Sequence, residues 1–245
     1  MPKSNYKIGL QLYGVRDNFR TDMSGTLKAL AGFGYQGIEL LANQLDQPAE
    51  VAGNLRAVGM QTIGLYMGNL RELPDATVET ARMLETCHLT YGYEERVERD
   101  WPGAIADLRR LADRAHAKGL VLDYHNHARE YQRLQDQTAL EILAAQTDPG
   151  RVQFELDTFF TLKMGEDPCR WIRRLAGRMT RLHLKDMRAG DGSVAAVGDG
   201  ILDVRAVVAA AVQGGAEWII IEFHPGLADP LGMARRCLEG VRRAG

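Results

Sequence analysis

Short apolar runs alternate along this chain with longer segments whose apolar residues recur at helical spacing. Eight short runs that end in polar residues are predicted to be strands, and they cover residues 6–13, 37–41, 60–67, 88–93, 120–126, 152–157, 180–186 and 218–224. Helices are predicted between them over residues 25–34, 75–87, 104–119 and 203–215. In residues 104–119, for example, Ile105, Leu108 and Leu111 fall on one side of a helix.

Strict alternation of strand and helix predicts a parallel sheet with helices outside it, because a parallel strand needs a crossover to return. Eight such units favour a closed barrel. The competing fold is an open, doubly wound sheet, but the first strand–helix turn, "LYGVRDNF", lacks the glycine-rich dinucleotide fingerprint. We therefore expect one α/β domain, a (βα)8 TIM barrel, over residues 1–245.

In such a barrel the functional residues lie at the C-terminal ends of the strands. Because side chains alternate across a strand, Asp123, His125 and His127 share one face, as do His183 and Lys185, and Glu222 and His224. Four inward-facing residues from consecutive strands are predicted to converge on a divalent cation: His125, Asp157, His183 and Glu222. Each also has a structural reading, and Asp157 could instead cap the following helix.

Composition excludes several other functions. Thirty basic against 32 acidic side chains give a formal charge of -2, which disfavours binding to nucleic acid or an anionic membrane. The three widely spaced cysteines, Cys87, Cys169 and Cys237, are expected to be reduced thiols. The first residues lack the apolar segment of a signal peptide and no later stretch is long enough to span a bilayer, so a cytoplasmic protein is expected.

A series of motifs extends over nearly the whole chain: "IGLQLYGVRD", "GYQGIEL", "YHNHAREY", "FELDTFF", "RLHLKDM", "GDGILDV" and "IIIEFHP". In this order and spacing the series resembles the sugar phosphate isomerase/epimerase group of xylose isomerase-like TIM barrels, which includes inosose dehydratases and tagatose epimerases. The resemblance implies one divalent metal ion, manganese, cobalt, magnesium or zinc, held by His125, Asp157, His183 and Glu222. Epimerases of the group generally have a glutamate where His125 stands, and an alignment on the asparagine of their motif would make Asp123 the ligand instead.

The resemblance implies proton abstraction next to the carbonyl of a keto sugar or related polyol, through a metal-stabilised enediolate. Glu222 is the expected base, and Glu130, His127 and Lys185 are candidates for its partner. The residues expected to bind the carbohydrate are Gln11, Glu39, Asn126, His127, Lys185 and His224. An isomerase or epimerase is the first interpretation, and a lyase or dehydratase acting on a keto-inositol or 3-keto-glycoside is the second, because the symmetrical glutamate pair of the epimerases is missing.

A sugar-binding barrel without turnover is the third interpretation. Strands three and four lack the additional histidines and carboxylates of a three-metal endonuclease, so DNA is not an expected substrate. Dimers are common among such barrels, and by this analogy a homodimer is one expected quaternary state.

Overall fold

The computed structural model describes residues 6–68, 72–92 and 100–244, and within these residues eight parallel strands close into a barrel. Each strand pairs with the next along the chain, and the last returns to the first. The strands are β1 (Lys7–Gln11), β2 (Gly37–Leu41), β3 (Gln61–Gly68), β4 (His88–Gly92), β5 (Val121–His125), β6 (Val152–Asp157), β7 (Arg181–Leu184) and β8 (Trp218–Ile221). They coincide with the eight predicted runs to within a few residues, although residue 93 of the fourth run lies outside the described residues. The predicted α/β barrel is therefore confirmed.

Helices connect the strands on the outside of the barrel. The described part of the chain contains α1 (Arg16–Thr21), α2 (Met23–Phe33), α3 (Pro48–Val58), α4 (Asp75–Met83), α5 (Trp101–Ala117), α6 (Ala139–Gln146), α7 (Thr158–Lys163), α8 (Pro168–Arg174), α9 (Val204–Gln213) and α10 (Pro230–Ala244). The four helices predicted from sequence correspond to α2, α4, α5 and α9. In α5, Asp100 caps the first turn by accepting a hydrogen bond from the backbone N–H of Gly103.

Shorter elements follow several strands at the C-terminal side of the barrel. They are the 3-10 helices Leu12–Val15, Ala42–Gln44 and Arg129–Tyr131, and the antiparallel ribbons Arg133–Leu134 with Gln137–Thr138 and Asp186–Met187 with Val194–Ala195. The helix that follows β5 places Glu130 and Tyr131 directly behind the end of that strand. These short elements therefore lie beside the strand ends from which the site is built.

Alternate residues of each strand face opposite sides, and the two sides differ in chemistry. The outer side is apolar and packs against the helices, as Leu122 on β5 and Leu182 on β7 do. The inner side begins with a separate apolar cluster of Ile63, Trp218 and Ile220 near the N-terminal end of the barrel. Towards the C-terminal end it becomes charged, with the carboxylates and cations described below. This arrangement places the buried polar chemistry above an apolar base.

No helix among the described residues is both long and apolar enough to cross a bilayer. The three cysteines are free, as predicted from their spacing. Cys237 is buried against the barrel and Cys87 is exposed.

Two helical glycines predict opposite effects of the same substitution. A Cβ at Gly240 in α10 would lie 1.7 Å from the carbonyl oxygen of Val197, whereas a Cβ at Gly53 in α3 would meet nothing within 4 Å. We expect Gly240→Ala to lower the free energy of unfolding by about 1–3 kcal/mol through overpacking. Gly53→Ala is expected to raise it by about 0.5–1 kcal/mol, because alanine loses less backbone entropy in a helix. Urea denaturation of both variants tests this, and equal effects would contradict the described contact.

Candidate metal centre

Four side chains meet at the C-terminal end of the barrel interior. His125 ends β5, Asp157 ends β6, His183 lies in β7 and Glu222 follows β8. Each offers one nitrogen or oxygen atom, and these four atoms all lie within 4.8 Å of one another. We call these four residues the ligand cluster. Parallel strands bring them together because the register pairs Asp157 with His183 on adjacent strands.

Glu222 connects the ligand cluster to a buried lysine. Its Oε2 lies 2.9 Å from Nδ1 of His183, and its Oε1 accepts a hydrogen bond of 2.8 Å from Nζ of Lys185. Burial alone would raise the pKa of Glu222, but the charges of Lys185 and His183 hold it well below its usual range. The carboxylate is therefore ionised, and its two oxygens have different neighbours.

Lys185 stays charged although it is almost fully buried. Its Nζ lies 5.3 Å above the centres of the Phe159 and Phe160 rings. Burial alone would lower the pKa of Lys185, but the neighbouring carboxylates of Glu222 and Asp157 raise it above its usual value. The ammonium group is thus held between an aromatic wall and two carboxylates.

Asp157 both caps a helix and contributes an oxygen to the ligand cluster, the two roles expected from its sequence position. Its Oδ1 accepts a hydrogen bond of 3.0 Å from the backbone N–H of Phe160 and caps α7. Its Oδ2 is buried and finds no hydrogen-bond partner among the residues that the structure describes. The nearest cationic atom to this oxygen is Nζ of Lys185, at 3.9 Å. Capping therefore uses one oxygen and leaves the other directed into the ligand cluster.

The donor set and the charge of the barrel interior both fit a divalent cation. Two imidazoles and two carboxylates are a common ligand set for such ions. Four buried carboxylates, those of Asp123, Glu155, Asp157 and Glu222, face the cations of Arg181 and Lys185. Burial lowers the pKa of His183, but Glu155 and Glu39 raise it well above its usual value. A proton on His183 thus adds positive charge among these carboxyl groups, and a divalent ion would add more.

The structure places His125, and not Asp123, in the ligand cluster. Asp123 is fully buried nearer the N-terminal end of β5, where it forms an ion pair with Arg181. Its Oδ2 also lies 2.9 Å from Nδ1 of His88. Oδ2 of Asp123 therefore contacts Arg181 and His88, and Asp123 is not among the four residues whose atoms converge.

Four of the residues predicted to bind substrate or to act as acid or base are buried and form hydrogen bonds within the protein: Gln11, Glu39, Asn126 and Glu130. The Glu130 carboxylate accepts hydrogen bonds from the Tyr124 hydroxyl at 2.7 Å and from the His127 backbone N–H at 2.9 Å. The Glu39 carboxyl group contacts the Thr90 hydroxyl at 2.6 Å and Nε2 of His183 at 3.0 Å. Neither carboxyl group has exposed surface, and burial raises the pKa of both.

Asn126 and Gln11 likewise use their side chains within the protein. The Asn126 side-chain oxygen accepts a hydrogen bond of 3.0 Å from the backbone N–H of Asp157, which ties the end of β5 to the end of β6. The Gln11 side-chain oxygen accepts a hydrogen bond from the backbone N–H of Tyr13. These contacts fix the positions of strand ends.

The remaining predicted residues border the open side of the ligand cluster. The His127 ring lies 4.9 Å from the rings of both His125 and Phe160. Burial, together with the neighbouring His125, lowers the pKa of His127 to about 3, so this imidazole is neutral. His224 is exposed, with its ring 6.1 Å from that of Phe159. Together with Lys185, these groups form the polar and aromatic rim of the site.

Comparison with known proteins identifies the family. The sequence pattern of the xylose isomerase-like TIM barrel family matches residues 27–242. The chain belongs to this family. An inosose dehydratase from Lacticaseibacillus casei is 30% identical over 54% of this chain and 50% of its own length, so the chain spans about half the length of that relative.

Solved structures share the xylose isomerase-like fold over nearly all of the chain. A sugar phosphate isomerase/epimerase from Parabacteroides distasonis superposes with a TM-score of 0.80 at 18% identity, covering 97% of this chain and 94% of the other. D-psicose 3-epimerase from Clostridium cellulolyticum H10 superposes with a TM-score of 0.71 at 15% identity, covering 97% and 98%. At such low identities the likeness shows the fold alone.

Sequence reasoning missed two buried residues of this xylose isomerase-like barrel. Glu155 lies two residues before Asp157, and Arg181 lies two residues before His183, so both share the inward face with the ligand cluster. Strand alternation carried the signal that would have found them. Glu155 and Arg181 pair with each other in the register, one inward-facing position below Asp157 and His183.

Proposed function

We propose that this protein is a metal-dependent lyase that removes a proton next to the carbonyl of a keto-inositol or 3-keto-glycoside and expels an oxygen from the β-carbon. The observation that carries the proposal is the hydrogen bond of 2.8 Å from Nζ of Lys185 to Oε1 of Glu222, beside the ligand cluster. A carboxylate base and an ammonium acid in contact are the pair of groups that a β-elimination needs. The likeness to inosose dehydratase supports the same class of reaction.

Glu222 is the proposed base. Of the described carboxylates inside the barrel, Glu222 alone has exposed surface, with 11% of its side chain accessible, while those of Glu39, Glu130 and Glu155 are fully buried. Its Oε2 faces His183 and the ligand cluster, which leaves Oε1 to take the proton from carbon. The low pKa of Glu222 keeps this oxygen ionised before substrate binds.

Lys185 is the proposed acid. Its ammonium group would donate a proton to the departing oxygen as the bond from that oxygen to the β-carbon breaks. The electron pair of the broken C–H bond then forms the new carbon–carbon double bond, and water or an alcohol leaves. Glu222 would return its proton directly to Lys185 across their hydrogen bond, so that the pair regains its starting state.

A divalent cation bound by His125, Asp157, His183 and Glu222 would supply positive charge that stabilises the negative charge developing on the carbonyl oxygen of the substrate. The protein would supply the orientation. Phe159 and Phe160 form an apolar wall beside Lys185, and such rings pack well against the C–H face of a sugar or cyclitol. The neutral His127 and the exposed His224 would donate or accept hydrogen bonds with hydroxyl groups of the substrate.

A two-base epimerisation is the less favoured reaction. It requires a second base on the opposite face of the carbon acid, and among the described residues the rings that border His125 at the rim are those of Tyr66 and His127. The His127 ring is packed between the rings of His125 and Phe160, and Glu130 is enclosed by Tyr124 and the backbone. Isomerisation needs only one base, so it is the second candidate, and Glu222 would serve both reactions.

The products formed from two substrate classes test the proposed function. We would incubate the protein with Mn²⁺, in D₂O, with an inosose or with a 3-keto-glycoside that carries a nitrophenyl group. A lyase is expected to produce an ultraviolet-absorbing enone and release water or nitrophenol, with the activity lost in chelator and restored by Mn²⁺. An isomeric keto sugar that carries deuterium would favour the isomerase instead. If substrate binds but neither product nor deuterium exchange appears, the chain is a binding protein.

A further inference from the structure

A buried carboxylate that the proposed mechanism does not use lies beneath the ligand cluster. Glu155 is fully buried, and its Oε2 lies 3.2 Å from Nε2 of His183 and 3.7 Å from Nδ1 of His125. One oxygen atom thus lies between the two histidines of the cluster, and neither oxygen of Glu155 has a hydrogen-bond partner among the described residues. His125 Nδ1 has no hydrogen-bond partner among the described residues, so Glu155 is the nearest group that can accept its proton.

Arg181 provides the counter-charge for this carboxylate. Its Nε lies 3.5 Å from Oε1 of Glu155, and its Nη2 forms an ion pair with Asp123. The guanidinium group also donates to the Ile63 carbonyl and the Thr90 hydroxyl, each at 3.3 Å. These partners hold it from several sides within the barrel.

The backbone of β3 makes room for this arginine. A Cβ at Gly64 would lie only 2.3 Å from Nη1 of Arg181, so any larger residue would displace the guanidinium group. An arginine buried to this degree requires fixed acceptors on all sides, because an unpaired buried charge is costly. The residues around Arg181 therefore supply both the acceptors and the space for its guanidinium group directly below the histidines.

Two carboxyl groups approach His183 from below, and they differ in their contacts and in the direction of their pKa shifts. Burial would raise the pKa of Glu155, but His183 and Arg181 hold it well below its usual range. For Glu39, burial and the neighbouring Glu155 raise the pKa. Oε2 of Glu39 lies 3.0 Å from Nε2 of His183, whereas Oε2 of Glu155 lies close to both His183 and His125, so Glu155 is the carboxyl group placed between the two histidines.

We infer that Glu155 is a positioning residue that accepts the ring protons of His183 Nε2 and His125 Nδ1, with Arg181 as its fixed counter-ion. A neutral imidazole binds a metal through the nitrogen without a proton, so the acceptor of the other N–H decides which nitrogen is presented. His183 then presents Nδ1, the atom already 2.9 Å from Glu222, and His125 presents Nε2. This inference rests on the proposed metal site and adds the group that orients its two histidines.

Metal titration of matched variants tests the inference. Calorimetry with Mn²⁺ would compare the wild-type protein with Glu155→Gln, which keeps an acceptor oxygen, Glu155→Leu, which does not, and Asp123→Asn. We expect Mn²⁺ affinity to fall about 10-fold in Glu155→Gln and about 100-fold in Glu155→Leu. This is the range observed when an outer partner of a metal ligand is lost. Asp123→Asn removes the same charge from the same arginine but touches neither histidine of the cluster, so wild-type affinity is expected.

The outcomes separate this inference from the metal site on which it depends. If the wild-type protein binds no Mn²⁺, both proposals fail. If the wild-type protein binds Mn²⁺, and Glu155→Gln and Asp123→Asn change its affinity by the same factor, the positioning role is wrong and the metal site stands. Thermal melts of the metal-free variants accompany the titrations; should Glu155→Leu fail to fold, Glu155→Gln, of nearly the same shape, decides the result.

A spectroscopic measurement adds a test that a general loss of packing would not reproduce. In the Zn²⁺-loaded protein with ¹⁵N-labelled histidine, long-range N–H correlations should show His183 protonated at Nε2 and His125 at Nδ1. In Glu155→Leu the two rings should lose this single tautomer. The opposite tautomer at either ring of the wild-type protein would overturn the assignment.

Discussion

Asp157→Ala is expected to lose divalent cation binding altogether at millimolar Mn²⁺ and to unfold more easily. The substitution removes the oxygen that points into the ligand cluster and, with it, one of the two carboxylates that face Lys185. It also removes the cap of α7, because Oδ1 accepts the Phe160 N–H, at a cost of about 1 kcal/mol. Metal content of the purified variant and its urea denaturation curve measure the two effects separately.

The same substitution at a second helix cap provides the control. Asp203 caps α9 by accepting the backbone N–H of Ala206 at 3.0 Å, and it lies at an exposed position. Asp203→Ala should therefore lose a similar amount of stability and keep its metal. Retention of metal by Asp157→Ala would remove Asp157 from the site, whereas loss of metal by both variants would show that stability alone governs binding.

The strand pattern was sufficient to predict the barrel and to bring the four cluster residues onto one inner surface. Alternation with a period of two assigns the face of each residue, and parallel register aligns the C-terminal ends. Alternation does not assign depth, however. Asp123 and His125 share a face, but the register pairs Asp123 with Gln153 and His125 with Glu155, so His125 lies one inward-facing position nearer to Asp157 than Asp123 does.

Depth and loop folding also account for the predicted substrate residues that are enclosed in the structure. Glu39 faces inward as expected, yet it lies beneath His183, where the Thr90 hydroxyl meets it. Glu130 follows β5 in the sequence, but the 3-10 helix Arg129–Tyr131 turns it back under the loop to the Tyr124 hydroxyl. The spacing of polar and apolar residues in the sequence predicts neither position. That of Glu39 depends on contacts between strands far apart in the chain, and that of Glu130 depends on the path of one turn.

The enclosure of Glu130 and Glu39 changes the chemistry that the sequence alone favoured. With both carboxyl groups enclosed, the described rim offers one carboxylate, Glu222, and one ammonium group, Lys185. An acid and a base on the same side of the substrate fit removal of a proton and of a leaving group from one face. The sequence lacks the paired glutamates of the epimerases, and the structure buries Glu130 and Glu39. Both findings thus support elimination as the class of reaction.

Lys185→Met is expected to separate proton removal from expulsion of the leaving group. Methionine preserves the length and apolar stem of the side chain but cannot donate a proton, so turnover to the enone should fall by about 10²–10⁴-fold. Exchange of the substrate α-proton with D₂O should persist, because Glu222 is intact. Metal binding should be retained or tightened, since the ammonium group near Glu222 and Asp157 is gone.

Lys163→Met is the matched control, because Lys163 lies 5.7 Å above the same Phe159 ring but at an exposed position outside the ligand cluster. This variant should keep both exchange and elimination. If Lys185→Met loses exchange and elimination equally, Lys185 acts on the base and not on the leaving group. If it keeps full elimination, the acid must be another group, and the rim histidines His127 and His224 become the next residues to substitute.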